Sequence, residues 1–419
     1  MHIITILNQC LKFKSFVFET AKFSRDKSSI LVSVRPRKNS KAVCSRCGAP
    51  GPCYDKLRER QFEHEPIWKF KVKLVYAMRR VQCPSCEKVI VERVPWGEGK
   101  NHFTYHYATL LASWAKDLSW KRVAERFQTS WQTVAACVTW VVTWGLRNRE
   151  IDNVTAIGVD EVAWQKGHNY LTLVYQVDKG FRRLLWIGEK RTQVTLKQFF
   201  KEFEDLSEGF AERIQVVCSD MWKPYLKVIK EKCANAVNVL DKFHIMQMMN
   251  KAIDKTRAGE AKRLKEEKQD VVLSKSRWCF LKRKGNLTKK QKVKLDELLK
   301  INLVTVKAYL LKEQFHKFWS YVSPAWAGKF LTGWIDLAIE SEIPAMQKMA
   351  KTLENHRELI LNFFRAKKRF NSGIVEGLNR KVNLTIRKSF GFRTINIAKV
   401  AMYHQLGNLP EPDLTHEFK

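Results

Sequence analysis

Long hydrophobic runs are missing from this 419-residue sequence. A helix that crosses a bilayer needs roughly 18 to 20 consecutive apolar residues, and no segment approaches that length. The apolar stretch Ile3-Ile4-Thr5-Ile6-Leu7 is too short for a secretory signal and lacks a cleavage-site pattern. We therefore expect a cytosolic protein with no membrane partner.

Acidic residues are scarce relative to basic ones. The chain has 42 Asp and Glu against 76 Lys and Arg, which gives a formal charge of +34 and a pI near 9.8. Such a positive charge favours binding of a polyanion, so nucleic acid is the partner we expect. Hydrophobic residues make up 45% of the chain, which excludes a disordered polycation and predicts about two to four globular domains.

Two Cys-x-x-Cys pairs stand in the first quarter of the chain. Cys44-Ser45-Arg46-Cys47 is followed by Cys83-Pro84-Ser85-Cys86. In a reducing compartment two such pairs close a tetrahedral site, so we predict structural Zn²⁺ bound by Cys44, Cys47, Cys83 and Cys86. Cys53 and His64 lie between the pairs as substitute ligands. A disulfide is the alternative, but it needs a secretory context that the sequence does not show.

The rest of this N-terminal region reads as β-structure. Alternating apolar segments up to about residue 40 predict small hairpins. Lys69, Lys71 and Lys73 alternate with apolar residues, which predicts a strand whose basic face suits a phosphate backbone or is simply solvated. The remaining single cysteines are expected to be buried thiols, and they are Cys10, Cys137, Cys218, Cys233 and Cys279.

The periodicity becomes helical from about residue 103 to 147. Short helices are predicted over 105–115, over 119–127 and from residue 130, with Ser119 as one N-cap and Thr129 or Ser130 as the other. This pattern indicates a helix-turn-helix, whose third helix begins where recognition helices meet base edges. The residues that we assign to DNA contact there are Lys121, Arg122, Trp131, Gln132 and Thr133. Trihelical units that bind no DNA share the pattern.

A second β-rich block, from about residue 154, carries acids at the ends of apolar strands. Asp160 closes one strand and Asp220 another, and Glu376 starts a helix far downstream. Three strands, a crossover helix and two further strands follow the ribonuclease H-like order, which makes the two aspartates neighbours. Three carboxylates on rigid elements could hold two Mg²⁺ or Mn²⁺ ions, the equipment of phosphodiester chemistry. Taken singly, each acid also suits a helix dipole or a solvated strand end.

The segment 246–365 is predicted to be helical throughout and is strongly basic. Its later part contains Trp319, Trp326 and Trp334, whose pattern fits a core as well as an exposed surface. A last helix from Ile374 to about Lys388 has a basic face. We add two residues of that face to the proposed DNA contacts, Arg380 and Lys381.

The order of these motifs resembles the ISL3 family of bacterial insertion-sequence transposases over nearly the whole chain. The resemblance is carried by Gly158-Val159-Asp160-Glu161, by Cys218-Ser219-Asp220-Met221-Trp222, by Asp241-Lys242-Phe243-His244 and by residues 372–380. It implies an Asp-Asp-Glu triad of Asp160, Asp220 and Glu376, and an Asp-x-x-His motif of Asp241 and His244.

For His244 the resemblance leaves three roles open: orienting a carboxylate, contacting the scissile phosphate, or completing a buried hydrogen bond. We count it among the catalytic residues. The resemblance further implies that the helical segment is an insertion whose basic face holds flanking DNA. A tryptophan of this insertion could stack on an unpaired base.

The fold we expect is a multidomain α/β protein. It comprises a β-rich zinc-binding domain (1–102), a helix-turn-helix (103–150), a ribonuclease H-like catalytic domain in two parts (151–245 and 366–410), the all-helical insertion (246–365) and a tail (411–419). The resemblance implies metal-dependent cleavage and strand transfer of double-stranded DNA, at element ends and into target DNA. A homodimer or larger assembly would carry it out in the bacterial cytosol, associated with the nucleoid. Two alternatives stay open: a transposase-derived DNA-binding regulator without catalysis, and a structure-selective nuclease of the same fold.

Overall fold

The computed structural model describes residues 3–165, 167, 169–268, 272–301, 303–366, 373–389, 391–412 and 414. The chain divides into two compact units, one formed by residues 1–149 with 388–419 and the other by residues 150–387. No helix within the described ranges combines the length and the apolar character that a membrane crossing requires.

The first unit begins with a β-rich domain. It starts with helix α1 (Ile3–Cys10), whose Leu7 packs into the core of the sheet. From the sequence we had predicted only hairpins in this region. The strands are β1 (Phe16–Phe23), β2 (Ser29–Pro36), β3 (Ala42–Val43), β4 (Pro50–Gly51), β5 (Cys53–Ile67), β6 (Phe70–Cys83) and β7 (Lys88–Val91). The sheet has the order β1-β2-β6-β5, with β7 also paired to β6, while β3 and β4 form a separate pair.

The core of this domain is built around Trp96, which is fully buried. The rings of Phe16 and Tyr76 meet its indole edge-on, at centroid distances of 4.9 and 5.4 Å. Cys10, in contrast, is exposed and not the buried thiol that we had expected, whereas the other single cysteines predicted to be buried are so.

The helix-turn-helix follows as α2 (Tyr105–Asp117), α3 (Trp120–Arg126) and α4 (Trp131–Asn148). The side chains of Thr104, Ser119 and Ser130 cap the three helices by accepting a backbone N–H from the first turn. Gln128 takes a positive φ of 50° in the turn between α3 and α4. The predicted trihelical unit is confirmed.

The second unit is organised around a sheet with the order β10-β9-β8-β11-β12. Its elements are β8 (Ala156–Gln165), β9 (Asn169–Gln176), β10 (Arg183–Glu189), α5 (Gln193–Leu206), α6 (Phe210–Arg213), β11 (Val216–Ser219), α7 (Lys223–Lys232) and β12 (Val237–Leu240). β8, β9 and β10 form an antiparallel meander, and β11 runs parallel to both β8 and β12. This is the predicted ribonuclease H-like order. Phe199, Phe203 and Tyr225 fill the core against the sheet.

Helices alone follow in the described part of the insertion. They are α8 (Lys242–Glu266), α9 (Arg277–Leu281), α10 (Lys289–Leu298), α11 (Val304–His316), α12 (Pro324–Glu340), α13 (Pro344–Asn355) and α14 (Arg357–Arg365), with short 3-10 turns between some of them. Trp319 and Trp334 are buried, whereas Trp326 is 62% exposed. The last helix of the insertion, α14, lies against β12, where Asn362 Nδ2 donates a hydrogen bond to the carbonyl of Asn238 at 2.9 Å.

The last two helices of the described residues are α15 (Gly373–Lys388) and α16 (Ile395–Leu406). We had grouped both with the catalytic domain, in 366–410. α16 instead packs on α4 in the first unit, because Val400 and Tyr403 cover the helix-turn-helix core. Gln405 Nε2 adds a hydrogen bond to the carbonyl of Lys116 at 2.9 Å.

Candidate active site

Neighbouring strands of the second unit carry aspartates at one level of the sheet, and these are Asp160, Asp220 and Asp241. Gly158, Cys218 and Val239 are register partners across β8, β11 and β12, and each aspartate stands two positions further along its segment. We had expected Asp160 to end its strand, and this was wrong. Pairing with β9 continues β8 to Gln165. It lies just beyond the point where the parallel pairing with β11 stops.

The carboxylate of Asp160 lies in a crowded, poorly solvated place. Burial raises its pKa to about 6, and the negative charges of Asp241 and Asp220 act in the same direction. The backbone N–H of Glu161 donates to Oδ1 at 2.8 Å and, with the charge of His244, offsets part of that rise in pKa. Such a site favours binding of a cation, because a positive charge would stabilise the ionised form.

Arg191 joins two of the surrounding acids. Its guanidinium lies 2.7 Å from Glu161 Oε1 and 3.3 Å from Asp220 Oδ2, and it stacks on the ring of Trp222 at 4.3 Å. Burial raises the pKa of Glu161 to about 7, against the opposing charge of Arg191. Sequence reasoning assigned no role to Glu161 or Arg191. No spacing rule points to Arg191, because its contacts depend on how the turn after β10 meets the end of β11.

Asp241 and His244 form a pair at the start of α8. Asp241 is the N-cap of that helix: Oδ1 accepts the N–H of Phe243 at 2.6 Å, and Oδ2 lies 2.8 Å from His244 Nδ1. This hydrogen bond raises the pKa of His244 to about 9, and the charges of Asp160 and Asp220 act in the same direction. His244 therefore carries a positive charge at neutral pH, beside the aspartates.

Helix α15 is fastened to β8 beside Asp160. Asn379 Nδ2 donates to Asp160 Oδ2 at 2.5 Å, and its Oδ1 accepts the hydroxyl of Tyr175 at 2.6 Å. Glu376 stands one turn earlier on the same helix, where its carboxylate is 2.6 Å from Arg380. Within the described residues, the carboxylate oxygens of Asp160, Asp220 and Glu376 do not all lie within 4.8 Å of one another. The structure thus brings the two aspartates to one level of the sheet and places Glu376 on the helix that contacts Asp160.

The cysteine pairs of the first unit converge. The Sγ atoms of Cys44, Cys47, Cys83 and Cys86 all lie within 4.8 Å of one another. The Cys44–Cys86 and Cys47–Cys83 separations are 4.0 and 3.4 Å. These distances fit a tetrahedral zinc ion, for which Zn–S bonds of about 2.3 Å imply S–S edges of about 3.8 Å.

Neither substitute ligand belongs to this cluster. Cys53 is exposed, and its Sγ contacts the carbonyl of Asp55. His64 is buried against Thr104, with Nδ1 at 2.9 Å from the hydroxyl oxygen. Burial lowers the pKa of His64 to about 3. Its role is to connect β5 to the residue that caps α2.

The residues assigned to DNA contact are largely accessible. The exposed ones are Lys121, Arg122, Trp131, Gln132, Arg380 and Lys381. Thr133 is half-buried, because its backbone N–H and its hydroxyl both meet the N-cap hydroxyl of Ser130. Gln132 and Thr133 line a groove shared with Lys73 and Lys100 of the β-rich domain.

A family model described as a transposase, of the ISL3 type, matches residues 157–402. The chain belongs to the ISL3 family of transposases. A second model, described as the zinc-finger of transposase IS204/IS1001/IS1096/IS1165, matches residues 40–86 and includes all four clustered cysteines. The family resemblance drawn from the sequence motifs is therefore confirmed.

Relatives with recorded functions cover most of this ISL3 chain. The transposase for insertion sequence element IS1001 of Bordetella parapertussis is 30% identical over 353 residues, spanning 84% of this chain and 85% of the relative. The transposase for insertion sequence element IS1557 of Mycobacterium tuberculosis is 28% identical over 432 aligned residues, spanning 95% and 94%. The solved Drosophila P element transposase strand transfer complex overlaps 73% of this chain and 92% of that chain, with 12% identity and a TM-score of 0.37. That likeness is too low to support an inference about this chain.

Proposed function

We propose that this ISL3 transposase binds the ends of an insertion sequence and catalyses metal-dependent DNA strand cleavage and strand transfer. The observation that carries the proposal is the shared level of Asp160 and Asp220 on adjacent parallel strands. The Asn379–Asp160 hydrogen bond supports it, because it holds the helix of Glu376 against the same strand. Membership of the family supports the same activity.

Asp160, Asp220 and Glu376 are the residues that we propose as ligands of Mg²⁺ or Mn²⁺. Carboxylate oxygens are the donors that these hard cations prefer. Burial and neighbouring negative charge raise the pKa of Asp160, and a divalent cation would offset that unfavourable energy. Two such ions, when bound, supply Lewis-acid stabilisation of the charge that develops on a scissile phosphate.

The protein side chains hold the reacting groups in place. The sheet fixes Asp160 and Asp220, and Asn379 fixes one oxygen of Asp160 with the support of the buried Tyr175 hydroxyl. His244, positively charged and 34% exposed, provides a cation beside the aspartates that could contact a phosphate oxygen. Its pairing with Asp241 fixes the orientation of the ring.

The basic surfaces would hold DNA in this proposal. Phosphate contacts from Lys121 and Arg122 would position α4 on an element end, and Gln132 would meet base edges. The exposed lysines of α8, among them Lys251 and Lys255, suit flanking DNA. Strand transfer joins two element ends to one target, so at least two copies act together. The DNA substrate places this activity in the bacterial cytosol, at the nucleoid.

A cleavage assay separates this proposal from its two alternatives. Labelled duplexes spanning the candidate element ends would be incubated with the protein and Mg²⁺, with random duplexes and chelator as controls. Nicking at the ends together with joined products supports a transposase. Binding without nicking indicates a regulator, and nicking without joining or end preference indicates a nuclease.

A further inference from the structure

The hairpin of β5 and β6 ends in an unusual turn. Ile67 pairs with Phe70, so only Trp68 and Lys69 form the loop, and both have positive φ values of 50° and 71°. Two-residue turns of this kind favour Asn-Gly, because a positive φ is unfavourable for residues with large side chains. Trp68 and Lys69 therefore hold an unfavourable backbone conformation, which points to a use for their side chains.

The end of the hairpin is an exposed aromatic surface. Trp68 is 75% exposed, Phe23 56% and Phe70 36%. The rings of Phe23 and Phe70 contact each other edge to face at 5.3 Å, and Trp68 lies two positions from Phe70 in the same hairpin end. We call Trp68, Lys69, Phe70 and Phe23 the hairpin tip. An exposed aromatic cluster of this kind marks an interaction site.

The charges around the hairpin tip favour a polyanionic partner over an apolar one. Besides Lys69 within the tip, the exposed cations near it are Lys22, Arg25 and Lys27. In the same turn as Arg25 and Lys27, Asp26 is engaged by the hydroxyls of Ser24 and Ser28. Aromatic side chains among lysines match a nucleic acid, which offers phosphates beside sugar and base surfaces.

The hairpin tip lies next to the helix-turn-helix. Lys71 Nζ donates to the carbonyl of Gln128 at 2.5 Å, in the turn that leads into Ser130 and α4. Lys71 stands three positions after Trp68, only the last two of them in the strand, so the two residues lie at most about 10 Å apart along the chain. The lysine side chain extends roughly at right angles to the strand, so the tip stands on the order of 10 to 15 Å from that turn. Half of the helical repeat of duplex DNA, about 17 Å, separates a major groove from the next minor groove.

We propose that the hairpin tip is a second DNA-contacting element, which lies on the duplex beside the recognition helix. Trp68 enters the minor groove and Lys69 contacts a phosphate while α4 occupies the adjacent major groove. This inference rests on the proposed binding of element ends. It adds the zinc-bearing domain to the surface that reads them.

The double variant Trp68→Asn with Lys69→Gly tests the inference in the full chain. It installs the dipeptide that this turn prefers, so the urea midpoint of unfolding should be unchanged or higher. Affinity for element-end duplex should fall about tenfold, and the slope of log affinity against log salt should shrink by about one. Hydroxyl-radical protection should disappear from a minor-groove patch while protection beside α4 remains.

Tyr54→Ala is the matched control, because Tyr54 is also an exposed aromatic residue, at 60%, but at the opposite end of β5. It should bind and protect DNA like the unmodified protein. An unchanged affinity and footprint in the double variant would overturn the hairpin-tip inference alone. Loss of all protection together with a lower unfolding midpoint would also overturn it, in favour of a structural role. Failure of the unmodified protein to prefer element ends over random duplex would instead contradict the proposed function.

Discussion

Asn379 donates a hydrogen bond from Nδ2 to Oδ2 of Asp160, 2.5 Å away, although 219 positions separate the two residues. Its amide oxygen is held by the hydroxyl of the buried Tyr175. The chain Tyr175–Asn379–Asp160 therefore sets the orientation of one carboxylate and fixes α15 on β8. Any function of Glu376, one turn away on α15, depends on this attachment.

Asn379→Ala should lower the rate of end cleavage by about ten- to a hundredfold, because a misplaced catalytic group is costly even when it is chemically intact. Binding of element-end DNA should change little, since the basic surfaces remain. Tyr175→Phe should show a smaller loss, and the double variant should fall short of the sum of the two effects. Cleavage rates and gel shifts of the three variants measure this.

Asn383→Ala is the control for Asn379→Ala, because Asn383 is an exposed asparagine one turn further along α15. It should cleave normally. Equal loss from both substitutions would assign the effect to the helix and not to the hydrogen bond with Asp160.

Cys83→Ser should remove one zinc equivalent, because the Cys83 thiol is one of the converged sulfurs. The first unit should then lose protection against proteolysis, while the sheet of the second unit stays folded. Native mass spectrometry and limited proteolysis test both statements. Cys53→Ser, at an exposed cysteine outside the cluster, should keep its zinc. An unchanged metal content in Cys83→Ser would refute the site.

Gln132→Ala should chiefly reduce the preference for element ends. Gln132 is exposed in the first turn of α4, where base contacts are made, whereas the phosphate contacts of neighbouring cations are indifferent to sequence. Competition binding with specific and random duplexes at several salt concentrations measures the two contributions. Equal weakening on both duplexes would count against a recognition helix that begins at Trp131.

Acid should destabilise the first unit through His64. Burial lowers its pKa to about 3 from an ordinary value of 6.5, so the unfolded chain binds a proton that the folded chain does not. The stability that this group contributes is fully present above pH 6.5 and is lost as the pH falls from 6.5 towards 3. Unfolding midpoints measured across that range should decline more steeply in the unmodified protein than in His64→Gln. Parallel profiles would contradict this assignment.

Local patterns made much of the fold predictable. The hydroxyl caps act within their own helices, so short sequence spacing revealed Ser119 and narrowed the second cap to Thr129 or Ser130, of which the structure has Ser130. The cysteine pairs carry their own spacing rule. Asp160 and Asp220 could be placed together because apolar strands and a crossover helix specify their order in the sheet.

Contacts between distant segments could not be predicted in this way. Arg191 and Asn379 act across turns and helices whose packing no local period encodes. α16 packs its apolar face on α4. The sequence alone did not show whether that face would pack on α4 or on the sheet of the second unit. Helix α1 was missed because its eight residues are too short for a clear period.

In the proposed function, Asp160, Asp220 and Glu376 serve cleavage and not DNA binding. The direct measurement compares gel shifts and Mg²⁺-dependent cleavage of element ends for Asp160→Asn, Asp220→Asn and Glu376→Gln. Each should bind with nearly normal affinity but cleave slower by on the order of a hundredfold or more, because each loses an electrostatic contribution at the transition state. Ca²⁺ should support binding without cleavage. Asp205→Asn, at an exposed acid of the same unit, should cleave normally. Full cleavage by Glu376→Gln would contradict the proposed triad and leave Glu161 or Asp241 as the third acid.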